Sequence, residues 1–138
     1  MPHRRQRRRP VRRGATAVEF AIVAPVFFMV LLAMFEFTRL NVLRHTADNA
    51  AYEAARAAMV PGATADDARD AANLLLRVAG ARGATVDPTP AVITTDTEEV
   101  SVAISVPLDQ NGWVVPKFTR GRTLTSRSTL RTERVQTR

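Results

Sequence analysis

An uninterrupted apolar run near the N-terminus constrains this chain more than any other feature. Every side chain from Phe20 to Phe35 is apolar, and between Gly14 and Phe35 the only charged residue is Glu19. About 20 apolar residues in a helix, rising about 1.5 Å per residue, span the roughly 30 Å of hydrocarbon in a bilayer. A core helix of a small water-soluble domain would carry a polar face, and this run has none. The sequence therefore predicts a membrane-spanning helix over residues 15–35.

The net charge of the chain comes from the leader that precedes this run. Residues 1–13 contain seven of the 20 Lys and Arg residues and no acidic residue, and the rest carries 13 basic and 13 acidic groups. The positive-inside rule places the basic leader, residues 1–14, in the cytoplasm and residues 36–138 across the membrane. A globular nucleic-acid-binding domain would also carry basic residues on its folded face, so we expect no nucleic-acid partner.

The composition also excludes several kinds of chemistry. The chain has no cysteine, which excludes a disulfide framework, a thiolate metal site and a cysteine nucleophile. His3 and His45 lie far apart in the sequence and indicate neither a metal cluster nor a Ser-His-Asp triad. Asp66, Asp67 and Asp70 suit the start of a helix and lack EF-hand spacing. We therefore expect no enzyme activity, no metal and no cofactor.

Glu19 is the residue that the apolar run does not explain. A carboxylate inside a membrane helix costs about 2.5–3.5 kcal/mol on insertion scales, and less near the interface. Glu19 can extend back to the lipid headgroups. Alternatively, a cut after Gly14 would give Ala15 a free α-amine, at positions i and i+4 with Glu19 on one helix face. That amine would neutralise Glu19 in the same subunit or in an adjacent one.

The residues around Glu19 resemble a known family. Basic residues, Gly14, four further residues, Glu19, Phe20 and an apolar helix are similar to the class III prepilin processing motif. More narrowly, RRGATAVEFAIVAPVFFMVLL, with Pro25, resembles TadE-like pseudopilins of the tight-adherence (Flp) pilus system. A second similarity lies at TADNAAYEAARAA, residues 46–58, where Tyr52 replaces a residue that is commonly arginine.

The resemblance implies a substrate rather than a catalyst. A prepilin-type peptidase would cut between Gly14 and Ala15 on the cytoplasmic side, and Glu19 and Phe20 would serve recognition and assembly. The chain would be a minor pseudopilin that acts in assembly of tight-adherence pili and in surface adhesion. Its partners would be the peptidase, other pilins and pseudopilins, the Tad platform of the bacterial inner membrane, and the lipid bilayer.

Two other functions are compatible with the residues. A signal-anchored envelope protein would keep its leader and bind a ligand or partner through its extracytoplasmic part. A membrane-tethered protein would bind nucleic acid or anionic lipid through the arginine leader. Removal of the leader discriminates these functions, because only a pseudopilin is expected to lose it.

The rest of the chain predicts an α+β fold. Apolar residues at three- and four-residue steps continue the first helix as a stem over residues 36–59; they are Phe37, Leu40, Leu43, Ala47, Ala50, Ala54 and Ala58. This alanine stripe packs on its own head or also on neighbouring subunits.

The head, residues 60–138, begins with a second helix between a capping box at Thr64 and Asp67 and a terminal Gly80. Alternation then predicts a pilin-like antiparallel sheet of three or four strands. The candidate strands are 91–97, 100–106 and 122–134, with a hairpin turn at 96–99. The loop WVVPKF, residues 113–118, covers the core or contacts a partner or lipid surface.

Overall fold

One long helix, a second helix and a small antiparallel sheet make up the structure. The computed structural model describes residues 13–94, 96–112 and 121–131, without the side chain of Arg13. The chain divides into two compact units, Met1–Phe35 and Glu36–Arg138. The described elements, in chain order, are helices α1 (Arg13–Ala58) and α2 (Ala65–Val78), strands β1 (Thr85–Thr89) and β2 (Glu99–Pro107), a 3₁₀ turn (Leu108–Gln110) and strand β3 (Thr123–Arg131). The fold is α+β, as predicted.

Helix α1 is a single element of 46 residues, close to the predicted 15–59. Pro25 lies inside it. Proline has no N–H group, so the carbonyl of Ala21 loses its usual partner, yet the helix continues beyond this point. The part of α1 beyond Phe35, which we call the stem, buries the predicted stripe from Leu43 onward, whereas Leu40 is half-buried and Phe37 is 73% exposed. The buried residues of the stem are Leu43, Ala47, Ala50, Ala51, Ala54, Ala55 and Ala58.

Helix α2 begins with the predicted capping box. The Thr64 hydroxyl accepts the backbone N–H of Asp67, and the Asp67 carboxylate accepts the backbone N–H of Thr64 at 2.8 Å. These bonds satisfy N–H groups that have no partner inside the helix. The backbone N–H of Thr64 and, to a smaller extent, the Thr64 hydroxyl both donate to the Asp67 carboxylate, and they hold the pKa of Asp67 below its ordinary value. Gly80 follows the helix with a φ of 68°, a left-handed conformation that glycine adopts readily.

The sheet has the order β1-β2-β3 with antiparallel pairs throughout. Strand β2 is central, and its alternation places Val100, Val102, Ile104 and Val106 in the core at 0% exposure. These residues form one buried cluster with the stem alanines and with Ala68, Ala72 and Leu76 of α2. The core is therefore built from β-branched side chains of the sheet packed with small side chains of two helices.

The predicted first strand was wrong. Residues 91–97 are not a strand in the described part of this segment, and Val92 is 73% exposed. The strand that pairs with β2 is Thr85–Thr89, with Pro88 opposite Val102. The predicted 96–99 turn does not join two strands either, because the described residues before it are not a strand; the Thr97 N–H donates to the Thr94 carbonyl at 3.1 Å, so a turn starts earlier, at Thr94. The other two strands were predicted correctly, except that residues 132–134 lie outside the described residues.

A buried asparagine stabilises the turn that follows β2 through hydrogen bonds. Asn111 is 1% exposed. Its side-chain NH₂ donates to the carbonyls of Arg82 (2.8 Å) and Pro107 (2.7 Å), and its side-chain oxygen accepts the backbone N–H of Arg82 at 2.8 Å. Its own backbone carbonyl accepts the guanidinium Nε of Arg39 in the stem. One residue thus ties together the stem, the α2–β1 connection and the end of β2.

Candidate functional site

The four residues singled out by the sequence lie within seven positions at the start of α1. Gly14, Ala15, Glu19 and Phe20 are all helical and all exposed. Ala15 and Glu19 are separated by four residues, so they occupy neighbouring positions on one face of the helix. The structure therefore has the spacing that an amine at position 15 requires to approach the Glu19 carboxylate.

The conformation of the helix does not require a glycine at position 14. A Cβ added to Gly14 would meet no atom within 4 Å, and its φ is not in the left-handed region. A glycine inside a helix costs about 0.5–1 kcal/mol relative to alanine. The described residues therefore give no conformational or packing reason for a glycine at this position.

Glu19 stands among large apolar side chains that nothing in the structure covers. Val18 is 61% exposed, Phe20 71% and Ile22 66%. One helix among the described residues is long and apolar enough to cross a membrane, and none of its most apolar 18-residue window is buried. Such exposure is costly in water and favourable in a bilayer.

The comparison with protein families assigns this part of the chain. Residues 14–56 match the TadE family model, described as TadE-like protein. This segment is TadE-like. The match confirms the TadE-like resemblance of this segment and covers less than half of the chain; the prepilin processing motif is not tested by it. Searches of curated proteins and of solved structures give no match.

The TadE-like segment begins at Gly14 and ends at Arg56, so it contains both the apolar run and most of the stem. In the stem, the second similar stretch has a packing role. Ala50, Ala51, Ala54 and Ala55 are each 0% exposed, and Asp48 accepts a hydrogen bond of 2.6 Å from the hydroxyl of Ser126 on β3. Tyr52, the residue that departs from the family pattern, is 50% exposed and lies outside the core. The second stretch therefore joins the helix to the sheet.

Other predicted sites have separate outcomes. The described residues contain no group of three or more His, Cys, Asp or Glu side chains placed to hold a metal ion. Asp66 instead accepts the guanidinium of Arg69 at 2.6 Å, which is ordinary pairing on a helix surface. Trp113 and Phe118, predicted as a core-covering or partner-binding loop, lie outside the described residues, as does the leader before Arg13.

Sequence reasoning missed the part played by Asn111 and Arg39. Asn111 is buried, and its side chain is hydrogen-bonded to Arg82 and Pro107. No local pattern signals this, because Arg82 is 29 residues away in the sequence. Gly83 lies against the same turn. Its φ is 65°, in the left-handed region, and an added Cβ would overlap the side chain of Gln110.

Proposed function

We propose that this chain is a minor pseudopilin of a tight-adherence pilus system, cut after Gly14 by a prepilin-type peptidase. The observation that carries the proposal is the TadE family match, which starts at Gly14 and runs through the apolar helix. In this proposal the chain has no catalytic residue. It spans the bacterial inner membrane once, with its N-terminus in the cytoplasm and its head outside, and it acts in pilus assembly and surface adhesion.

The cut site is supported by the position of Gly14. It is the second residue of α1, within the first turn, where backbone N–H groups have no partner in the helix. A helix end opens more easily than its middle, so a peptidase can draw this segment into an extended conformation. A glycine lowers the cost of opening further and leaves room for the peptidase backbone.

The role of Glu19 follows from the cut. Before processing, its carboxylate lies beside an apolar run without a neighbouring cation on the helix face one turn earlier. After processing, the α-amine of Ala15 occupies that position, and the pair can enter a low-dielectric environment at lower cost than a lone carboxylate. The amine of an adjacent copy would serve equally well, so the cut would license assembly.

The test of processing is the intact mass of the full chain. The protein is recovered from membranes of a host with and without a matching prepilin peptidase that is active on a known substrate. We expect a chain starting at Ala15 only where the peptidase is present. A full-length chain in both hosts would contradict the proposal and favour a signal-anchored envelope protein that keeps its leader.

Two variants make the mass measurement specific. Gly14→Leu should abolish the cut, because the side chain fills the space that the peptidase needs. Ala33→Leu adds a similar apolar group to the same exposed helix, 19 positions further along, and should be cut normally. Loss of processing in both variants would indicate impaired membrane insertion instead of a recognition defect.

Glu19→Gln separates processing from assembly. This variant keeps the shape of the side chain and removes its charge, so we expect normal cutting and at least a tenfold loss of incorporation into pili. Incorporation is measured by immunoblotting of sheared pilus fractions or of the assembled membrane complex. Glu98→Gln, an exposed carboxylate in the head, is the matched control. Equal incorporation of the two variants would refute a role for the Glu19 charge.

A further inference from the structure

A groove lies in the unit Glu36–Arg138, between the stem and the sheet. Its volume is about 340 Å³. It is formed by the start of the stem, the 3₁₀ turn after β2 and the beginning of β3. The described lining residues are Phe37, Leu40, Asn41, Arg44, Leu108 and Leu124.

The groove is apolar along most of its wall. Four of its six described lining residues are Phe or Leu. Phe37 is 73% exposed, whereas Leu40, Leu108 and Leu124 are half-buried. Scattered exposed apolar residues are normal on a protein surface, but an exposed phenylalanine beside three leucines in a concave site marks a place where apolar material binds.

The described lining of the groove includes one cationic side chain. Arg44 is the only charged residue among the described lining residues, and it is exposed. It has no hydrogen bond or ion pair with another described residue, whereas the nearby Arg39 is engaged with the backbone of Asn111. A guanidinium binds phosphate through paired N–H donors. The groove therefore offers an apolar surface and an anion-binding group side by side.

The positions of the stem lining residues along α1 indicate where such a ligand comes from. Phe37 follows the last residue of the apolar run by two positions, and the lining residues of the stem end at Arg44. Seven residues of helix rise about 10 Å. The headgroup layer beside the hydrocarbon is about 5–8 Å thick. If the run crosses the bilayer, as the proposed function requires, Phe37 lies among the lipid headgroups and the Cα of Arg44 lies about 13–14 Å beyond the hydrocarbon. Side chains on a helix slant toward its N-terminus, and a long arginine side chain extends its guanidinium back toward the headgroup layer.

We propose that the groove binds an anionic phospholipid of the outer leaflet. The phosphate pairs with the guanidinium of Arg44, and the upper part of an acyl chain lies against Phe37 and the leucines. A cation near a membrane surface contributes on the order of 1 kcal/mol toward binding an anionic lipid, which corresponds to about fivefold in affinity. The inference rests on the membrane-spanning helix of the proposed function and adds a lipid ligand to it.

The experiment is a lipid titration of the full chain, followed by native mass spectrometry. Phosphatidylglycerol and phosphatidylcholine are added separately to the protein in detergent micelles, and the bound lipids are counted. We expect phosphatidylglycerol to bind the wild type about fivefold more tightly than it binds Arg44→Gln. Arg77→Gln removes an equally exposed arginine from α2, and it should bind as the wild type does. Both variants keep the basic leader, so its own attraction for anionic lipids cancels in the comparison.

A second variant tests the groove itself. Leu124→Trp fills the groove and leaves Arg44 in place, so we expect loss of the high-affinity lipid. Amide hydrogen exchange of β2 verifies that the head of each variant is folded, and Leu124→Phe replaces the tryptophan variant if it is not. Equal binding by the wild type, Arg44→Gln and the filled variant would overturn the proposal and indicate that the leader binds the lipid or that residues 113–118 of the chain occupy the groove.

The outcome can be separated from that of the proposed function. Membrane extraction and the mass at the Ala15 start are measured on the same samples. A chain that is inserted and cut, yet indifferent to Arg44→Gln, refutes the lipid site alone. If the chain is extracted from membranes without detergent, the helix does not span the membrane, and both proposals are refuted.

Discussion

The two parts of α1 solve the problem of covering an apolar helix in opposite ways. The first, Gly14–Phe35, carries large side chains that are mostly exposed in the structure, with Met29 at 69% and Phe35 at 60%. The second, the stem, carries five alanines at 0% exposure, namely Ala47, Ala50, Ala51, Ala54 and Ala55. Both parts belong to one element, so helix propensity does not account for the difference.

The difference shows what kind of neighbour each part has. Lipid chains are fluid and adapt to any shape, so bulky side chains are favourable there because they bury the most area. A packed protein interior is close to crystal density and admits only side chains that fit. Alanine lets another element approach closely, and the branched side chains of β2 fill the space that remains.

The largest expected effect comes from removing a core side chain of the head. Ile104 is 0% exposed in the middle of β2. Ile104→Ala should reduce the free energy of unfolding of the head by about 2–5 kcal/mol, because it leaves a cavity in the core. A urea titration in micelles measures this, with the amide hydrogen exchange of β2 as the signal.

Phe28→Ala is the counterpart in the apolar part, where the side chain is 59% exposed. It removes a larger group, yet it should leave the unfolding free energy of the head unchanged. A loss of several kcal/mol from Phe28→Ala would show that the comparison between the two parts of α1 is mistaken.

An intermediate effect is expected from adding volume to the stripe. Ala54 is 0% exposed, and Ala54→Leu should cost about 1–3 kcal/mol because the extra methyl groups have no space. The same substitution at the exposed Ala33 should leave the head unaffected. Amide hydrogen exchange of β2 in both variants is the measurement, and equal protection would mean that the stripe is not closely packed.

The smallest expected effect concerns the start of α2. Thr64→Ala removes the N-cap and should lower the unfolding free energy by about 1 kcal/mol. The cap also depends on pH. The pKa of Asp67 is lower in the folded chain than its ordinary value of 3.8, so its stabilising contribution is complete above that value and is lost as pH falls through the folded pKa.

The pH dependence can be measured together with the variant. Urea titrations between neutral pH and about pH 3 should show the wild-type advantage over Thr64→Ala narrowing below pH 4. Thr64→Ala keeps the backbone N–H that donates to Asp67, so an advantage that stays constant over this range would show that the bond from the Thr64 hydroxyl to the Asp67 carboxylate does not contribute.

Long, periodic features could be predicted from the sequence, and short features that depend on distant partners could not. The apolar spacing of helix α1, the Thr64 capping box and the alternation in β2 each depend on residues that are close to one another in the sequence. Strand β1 was missed because TVDPT is short and contains proline, which is tolerated in an edge strand but suppresses the strand pattern. The β-branched residues near Val92 looked more favourable, but β-propensity has little effect without a partner strand.

The candidate site divides in the same way. Gly14, Ala15, Glu19 and Phe20 were singled out because charge, glycine and apolar run coincide locally. The family match covers the segment in which they lie, and their roles stay a prediction. The groove around Arg44 was not found, since its wall comes from α1, the 3₁₀ turn and β3. Only folding brings Leu108 and Leu124 beside the stem.

The alanine stripe also affects how the head responds to temperature. Each buried alanine removes only one methyl group from water, so unfolding of the stem exposes little apolar surface for its length. The heat-capacity change of unfolding grows with exposed apolar area, at about 12–15 cal/mol/K per residue in ordinary domains. The head should fall at or below the lower end of that range, which gives a flat stability curve. Its cohesion would then change little between cold and warm surroundings.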